Sequence, residues 1–292
     1  MKLVVTGASG FLGGAVVSES VRRGWDTLGV SRRPWTPPPG ATALRCKDYQ
    51  AIPTGDALVH MAEDNDISSV ERLGGAYYLD AIGLVERLVE QTRGRLVYAS
   101  SATVYGGAKT QPHEVGDPVI ANSTYTRTKL ACEQRILAIG GTVLRFSNLF
   151  GPGMADHNVL GDILRQIPGT GALRVRDVAP IRDFLWVSDA AEAVCDAVAA
   201  NLHGVFNVGS GVGVSIGDLA ARCLRLAGEG KRIVETSLRG GPSNCLVVAV
   251  DGTTRACGWQ PTTPLNVGLA RLLTERISAA DGLAPPIPVK SQ

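Results

Sequence analysis

The sequence predicts an α/β fold, a doubly wound parallel sheet with a smaller C-terminal lobe. Short β-rich runs alternate with longer helical patterns up to about residue 150, the order expected of βα units around a parallel sheet. The nominated strands are apolar throughout rather than alternating, as strands covered on both faces must be. Beyond that point the pattern breaks into connections such as Gly151-Pro152-Gly153, Pro168-Gly169 and Gly240-Gly241-Pro242, with shorter elements between them.

In chain order, the first strand, Leu3 to Thr6, runs straight into a glycine-rich turn and a helix over 11–23. Thr27 to Val30 forms the second strand. Four prolines between Pro34 and Gly40 deny that segment a helix interior, because each lacks an N–H and fixes φ, so it reads as a loop. Ala57 to His60, a helix over 76–92, Leu96 to Ser100, a helix over 125–138 and Val143 to Phe146 complete the repeating units. A helix over 188–201 and a strand at Val205 to Val208 have the pattern to return to the sheet. The expected division is a main domain over 1–165 rejoined by 180–208, a second lobe from 166–179 and 209–280, and a frayed tail over 281–292.

Composition excludes several functions. With 29 Lys+Arg against 27 Asp+Glu the formal charge is +2, so no global field steers the protein to nucleic acid or an anionic membrane. Neither is expected as a partner. The six cysteines, Cys46, Cys132, Cys195, Cys223, Cys245 and Cys257, form no C-x-x-C pair and no metal-ligand spacing, and read as reduced core thiols. No charged n-region and cleavage site precede the first strand, and no apolar run reaches the roughly 20 residues that span a bilayer. A cytoplasmic protein without metal is the expectation.

The first strand ends in Thr6-Gly7-Ala8-Ser9-Gly10-Phe11-Leu12-Gly13. Small residues here let the backbone approach a pyrophosphate, and the following helix aims its dipole and free N–H groups at the same anion. A strand, this turn and an amphipathic helix in that order read as a dinucleotide-binding turn of a Rossmann-type fold. At the end of the second strand an acid would accept from a free ribose 2′-hydroxyl, but the chain has Ser31-Arg32-Arg33. Guanidinium groups suit a 2′-phosphate, so NADP(H) is favoured, with NAD(H) the alternative.

The strand at 96–100 leads into Ser100-Ser101-Ala102-Thr103-Val104-Tyr105-Gly106, and Tyr125-Thr126-Arg127-Thr128-Lys129 follows. Positions 125 and 129 lie one helical turn apart on one face. An ammonium beside a tyrosine hydroxyl eases proton exchange near neutral pH.

With these motifs the chain resembles the extended short-chain dehydrogenase/reductase family, in its nucleotide-sugar branch of epimerases, dehydratases and reductases. The resemblance extends over nearly the whole chain, through Asp56-Ala57-Leu58-Val59-His60-Met61-Ala62, Leu144-Arg145-Phe146-Ser147-Asn148-Leu149-Phe150-Gly151-Pro152, Arg182-Asp183-Phe184-Leu185-Trp186-Val187-Ser188-Asp189 and Phe206-Asn207-Val208-Gly209-Ser210-Gly211. It implies Tyr125 as general acid/base, Lys129 as its electrostatic partner and ribose ligand, and Ser101, rather than Ser100, as donor to the reacting sugar oxygen. Cofactor contacts are implied for Gly7, Ser9, Gly10, Phe11, Leu12, Gly13, Ser31, Arg32, Arg33, Met61, Ala62, Tyr125 and Lys129. For the other substrate, a nucleotide-diphosphate sugar, Thr103, Asn148, Arg182 and Arg239 are implied. A homodimer is implied through the helices at 76–92 and 125–138.

Other polar residues carry plainer expectations. His60 reads as packed at the cofactor loop rather than as a base; His113, His157 and His203 read as surface or loop residues, and Cys132 and Glu133 as packing and surface. Alternation along a strand separates Arg182 from Asp183, which favours a ligand role for the arginine.

Where 4,6-dehydratases of the family carry an Asp-Glu pair after the serine, this chain has Ala102-Thr103, which cannot protonate a leaving hydroxyl. Dehydration is therefore disfavoured. A non-catalytic dinucleotide-binding protein is disfavoured because Ser101, Tyr125 and Lys129 are all present. The leading expectation is an NADPH-dependent reductase of a nucleotide-linked 4-keto sugar, on the strength of Arg32 and Arg33. The alternative is an NAD-dependent 4-epimerase, which shares the Ser-Ala-Thr-Val-Tyr-Gly stretch. The chain departs from the family at Asp80, where a helix Asn is usual, in the composition of 63–75, and at Ser243-Asn244, where an acid is more common.

Overall fold

The computed structural model describes residues 1–49, 51–92, 95–238 and 244–280. Arg239 and the tail over 281–292 lie outside the described residues. A seven-stranded sheet organises the chain: β1 (Lys2–Thr6), β2 (Asp26–Ser31), β3 (Ala41–Arg45), β4 (Ala57–His60), β5 (Arg95–Ser101), β6 (Thr142–Phe146) and, much later, β10 (Gly204–Val208). Their order across the sheet is β10-β6-β5-β4-β1-β2-β3, with every pairing parallel. The strand order reverses between β1 and β4, the switch point where an open parallel sheet leaves a crevice beyond its carboxyl ends.

Burial explains why the central strands read as apolar runs. Leu3, Val4 and Val5 of β1 are fully buried, their alternate side chains feeding two different cores. On one face, Val16 and Val17 of α1 (Phe11–Arg22) pack against the alanine-rich stripe of α6 (Val187–Ala199), whose small residues allow close approach. On the other face, α3 (Gly75–Gln91) and α4 (Thr124–Ala138) lie side by side, contributing Val85, Leu88, Cys132 and Ile136. A short helix, α2 (Ile67–Leu73), precedes α3, with Asp66 capping its N-terminus.

Beyond the sheet, a second core gathers Phe150 of β7 (Asn148–Phe150), Leu160, Ile163 and Leu164 of α5 (Val159–Leu164), and Leu173 of β8 (Leu173–Val175). Phe184 and Trp186 of β9 (Ile181–Trp186) join it, with Leu219 and Cys223 of α7 (Ile216–Leu226) and Leu269 and Leu272 of α9 (Leu265–Ala280). β9 is the centre of a small second sheet, flanked over its first half by β11 (Gly213–Ser215) and β13 (Cys245–Leu246) and pairing in parallel with β7 over its second half. A two-stranded ribbon of β8 and β12 (Val234–Thr236) and the helix α8 (Asp251–Cys257) complete the elements. Buried Asp189, at the start of α6, accepts from the N–H groups of Thr262 (3.0 Å) and Thr263 (2.8 Å), tying the C-terminal chain to α6.

The sequence pattern reveals neither β3 nor α2. β3 carries only two half-buried apolar contacts to the core, so its sequence lacks the apolar run that marks a strand. As an edge strand it has a neighbour, β2, on one side only. All six cysteines are free, four buried and two half-buried.

Candidate active site

The glycine-rich turn is shaped by close approach. Gly7 has φ +73°, and a Cβ there would lie 2.5 Å from the Met61 carbonyl oxygen, so only glycine lets the β4 loop pack against the turn. A Cβ at Gly13 would run into the Gly7 backbone. α1 begins after Gly10 with no side-chain cap, so its first-turn N–H groups face the crevice without an acceptor from a capping side chain. Ser9, Phe11 and Leu12 are half-buried along the same turn, as are Met61 and Ala62 opposite.

Ser31, buried at the end of β2, donates from its hydroxyl to Ser9 (2.5 Å) and accepts from the Arg33 N–H (3.1 Å), which fixes the turn to the strand end. Arg32 lies over the Tyr49 ring at 5.8 Å and lines a cavity of about 360 Å³ with Arg45, Cys46 and Lys47. Arg33 is exposed and is not part of that lining. Arg45 and Lys47 went unread because β3 did. Glycine cradle, uncapped helix and basic cavity together fit an NAD(P) dinucleotide.

The expected catalytic pair, Tyr125 and Lys129, sits on α4, which is doubly capped. Ser123 and Thr126 form a reciprocal capping box, and the Glu71 carboxylate from α2 accepts from the N–H groups of Thr124 (3.1 Å) and Tyr125 (3.0 Å). Helical spacing puts Tyr125, Lys129 and Glu133 on one buried face. Lys129 donates to the Ala99 carbonyl (2.9 Å) and pairs with Glu63 (2.6 Å), and its Nζ lies 5.7 Å from the Tyr125 ring centroid. Tyr98 donates to the same Glu63 carboxylate. Burial opposes charge on both ions, but each outweighs it for the other: Glu63 holds Lys129 above the ordinary lysine value, and Lys129 holds Glu63 below the ordinary carboxylate value. Glu63 was not among the sequence candidates. The signal available for it was an acid directly after His60-Met61-Ala62, in the segment of unusual composition.

Ser101, half-buried at the end of β5, accepts from the Thr103 N–H (3.3 Å) and hydroxyl (2.9 Å), and among the described residues its own proton is donated to no acceptor. Ser100 donates to Glu133 (2.5 Å). Glu133 was expected at the surface, but it is buried because Arg145 pairs with it at 2.6 Å; Arg145 in turn reaches the Tyr105 hydroxyl (3.0 Å). His113, expected at the surface or in a loop, lies in the connection before α4 but is buried there, stacked on Tyr105 with ring centroids 4.8 Å apart. His60 accords with a packing role: it bonds Thr6 through Nδ1, and burial pushes its pKa down to about 4, leaving it neutral.

On the substrate side, half-buried Asn148 donates to the Asp183 carbonyl (3.1 Å). Arg182 donates to the carbonyls of Ile181 (2.8 Å) and Asn244 (2.9 Å) and has no carboxylate partner among the described residues. Burial lowers its pKa. Asp183 points elsewhere, accepting from Ser210 (2.7 Å) and Gly211 (3.1 Å). A larger cavity of about 540 Å³, lined by Pro152, Met154, Leu272 and Arg276 among others, contains none of the expected site residues. Among the described residues no cluster of three metal-ligating side chains occurs, and no helix is long and apolar enough to cross a membrane.

Residues 3–209 match the model of the NAD dependent epimerase/dehydratase family. The chain is 29% identical over 213 residues to dTDP-4-dehydrorhamnose reductase of Mycobacterium tuberculosis (strain ATCC 25618 / H37Rv), covering 70% of this chain and 67% of that protein. It is 26% identical to dTDP-6-deoxy-L-talose 4-dehydrogenase (NAD(P)(+)) of Kitasatospora kifunensis, over 92% of this chain and 88% of that one. UDP-glucose 4-epimerases are also among its relatives. In three dimensions it is similar to MoeE5 in complex with UDP-glucose and NAD, with TM-score 0.82 and 26% identity, covering 96% of this chain and 100% of the other. The match over more than two thirds of the sequence and the Tyr125/Lys129 helix beside a dinucleotide turn lead to one conclusion: the chain belongs to the NAD-dependent epimerase/dehydratase family, and is an NAD(P)-dependent oxidoreductase or epimerase of the extended short-chain dehydrogenase/reductase type.

Proposed function

We propose that the protein is an NADPH-dependent reductase of a nucleotide-diphosphate 4-keto sugar. The observation that carries this reading is the basic cavity at the ends of β2 and β3, where Arg32, Arg45 and Lys47 converge and no acid shares the lining. Three cations suit a 2′-phosphate, while a free 2′-hydroxyl gains nothing from them. Relatives named for a reductase and a dehydrogenase acting at C4 support the same reading.

In this reading Gly7, Gly10 and Gly13 let the backbone reach the pyrophosphate, with Ser9, Phe11, Leu12, Met61 and Ala62 around it. Ser31, Arg32 and Arg33 stand beside the adenosine ribose. NADPH, when bound, supplies the hydride that adds to C4. Tyr125 donates its phenolic proton to the carbonyl oxygen as the C=O bond is reduced, and Ser101 donates a hydrogen bond to that oxygen. Lys129 orients the nicotinamide ribose, and bulk solvent returns a proton to Tyr125 after each turnover. Asn148 and Thr103 position the sugar, while Arg182 and Arg239 receive the diphosphate or nucleoside. Ala102 and Thr103 offer no acid for water elimination, so the sugar leaves as an alcohol. We further propose a cytoplasmic homodimer built on α3 and α4, whose outer face leaves Leu79 69% exposed.

A fluorescence titration of nucleotide-stripped protein with NADPH and NADH tests the reading. The expected preference for NADPH is roughly a hundredfold, about 2.7 kcal/mol. Arg32→Ala and Arg45→Ala should each weaken NADPH about tenfold or more and leave NADH unchanged. Equal binding, or NAD⁺ that copurifies tightly bound, sinks the reductase. The second reading, a 4-epimerase, then leads, favoured by Ser101-Ala102-Thr103-Val104-Tyr105-Gly106.

A further inference from the structure

We propose that Glu63 is a positioning residue for the Tyr125/Lys129 pair: it anchors Lys129 and balances its charge, so that Tyr125 meets the substrate carrying its proton. The proposal rests on the assignment of Tyr125 and Lys129 as the acid pair, and deepens the reductase reading, since a ketone needs a proton given to its oxygen.

The geometry is that of a closed ion pair. Lys129 Nζ lies 2.6 Å from Glu63 Oε2, and the two side chains are 8% and 6% exposed. The Tyr125 ring centroid is more than twice as distant, at 5.7 Å. With the carboxylate this close to the ammonium, its negative potential offsets most of the ammonium's positive potential at Tyr125. Both Glu63 oxygens also accept from the Tyr98 hydroxyl, at 2.8 and 3.0 Å, which fixes the carboxylate in place. Its backbone follows Met61 and Ala62, which pack against Gly7, so the acid is held by the same contact that shapes the nucleotide turn.

The titratable groups around this pair come from every packed element. His60 from β4 is neutral, its Nε2 3.8 Å from Glu63. Tyr77 from α3, Tyr98 from β5 and Cys132 from α4 are pushed up by burial and stay protonated. Glu63 and Lys129 are therefore the opposed charges in this cluster, and Tyr125 is the remaining acid facing the ammonium. Without the carboxylate, the buried ammonium faces two tyrosine rings: Tyr98, at 5.0 Å, which burial keeps protonated, and Tyr125, at 5.7 Å, which is left to respond. The charge then favours the phenolate, which suits a base that takes a proton from an alcohol.

The test uses the purified full-length chain without substrate or cofactor. The phenolate absorbance of Tyr125 is isolated by subtracting the titration of Tyr125→Phe, in the wild-type background and again in Glu63→Gln. The expected result is a midpoint lower by roughly one to two pH units in Glu63→Gln. An unmoved or higher midpoint overturns the proposal. Should Glu63→Gln fail to fold, Glu63→Asp carries the test: the charge is kept but withdrawn by one methylene, a smaller fall in the same direction is expected, and an unmoved midpoint overturns it. NADPH affinity in the variant is expected within threefold of wild type; a tenfold loss with an unmoved midpoint makes Glu63 a cofactor ligand instead and overturns the proposal. Because no substrate or cofactor enters the tyrosine titration, its outcome is independent of the NADPH preference that decides the reductase reading.

Discussion

Ser100 and Ser101 are neighbours on β5, and strand alternation gives them different surroundings. Ser100 completes the hydrogen bonding of Glu133, which is buried with Arg145; Ser101 keeps its proton undonated at the strand end. Ser101→Ala should therefore lower kcat by roughly a hundredfold with the melting temperature unchanged. Ser100→Ala should leave turnover per folded molecule intact and cost about 1–3 kcal/mol of stability, because a buried carboxylate loses a donor. Steady-state kinetics and thermal melts of the two variants check this, and the reverse pattern would reassign the catalytic serine. At this scale the sequence was most informative where chemistry requires fixed spacing within one element, as with Gly7, Gly10 and Gly13 or Tyr125 and Lys129. It was silent where a role depends on a partner far along the chain. Glu63 and Lys129 lie 66 positions apart in the chain, and nothing local to either residue announces the pair. Glu133 was misplaced for the same reason, its partner Arg145 lying on another element.

Elements differ in how they are positioned as well as in how they are read. α4 is recognisable from its buried stripe, yet what sets its N-terminus is Glu71, a residue of the unread helix α2. The bonds from the Tyr125 and Thr124 N–H groups, the former contributing most, hold the Glu71 carboxyl below the ordinary glutamate value. A depressed folded value means stabilisation that is present at neutral pH and lost as pH falls through that value. Glu71 is solvent-exposed, so the benefit is small: Glu71→Ala should cost about 0.5–1 kcal/mol at pH 7, and wild type and variant should converge below roughly pH 4. Urea unfolding at the two pH values measures it; a difference that persists in acid would place the contribution elsewhere. β3 illustrates the opposite problem. Its half-exposed Ala-Thr-Ala-Leu-Arg sequence has little apolar signal, and its place as a strand comes from pairing with β2 from Thr27↔Ala41 to Ser31↔Arg45. That same pairing carries Arg45 to the rim beside Arg32, so without the strand two of the three cations of the cavity, Arg45 and Lys47, are not foreseen.

For the whole molecule, the parallel sheet was legible because its central strands are buried on both faces, and the second lobe only as a change of texture. The small sheet around β9 joins segments from 148 to 246, a set of long-range pairings that no local pattern encodes. The proposed homodimer belongs to this scale too. Gel filtration over a hundredfold range of concentration should give a particle of twice the chain mass, and a monomer at every concentration would remove α3 and α4 as an interface.

β9 itself has a consequence for how the enzyme works through its cycle. Leu185 points into the core under the main sheet, while its neighbours Phe184 and Trp186 point into the second core, and the strand passes directly into α6 against α1. One strand is thus shared between both bodies of packing, and spreading them apart would tear side chains out of one core or the other. A hinged, clamshell style of opening is opposed by this shared packing. On the proposed reductase reading, a spent cofactor should therefore leave by parting of the rim loops rather than by separation of the two cores.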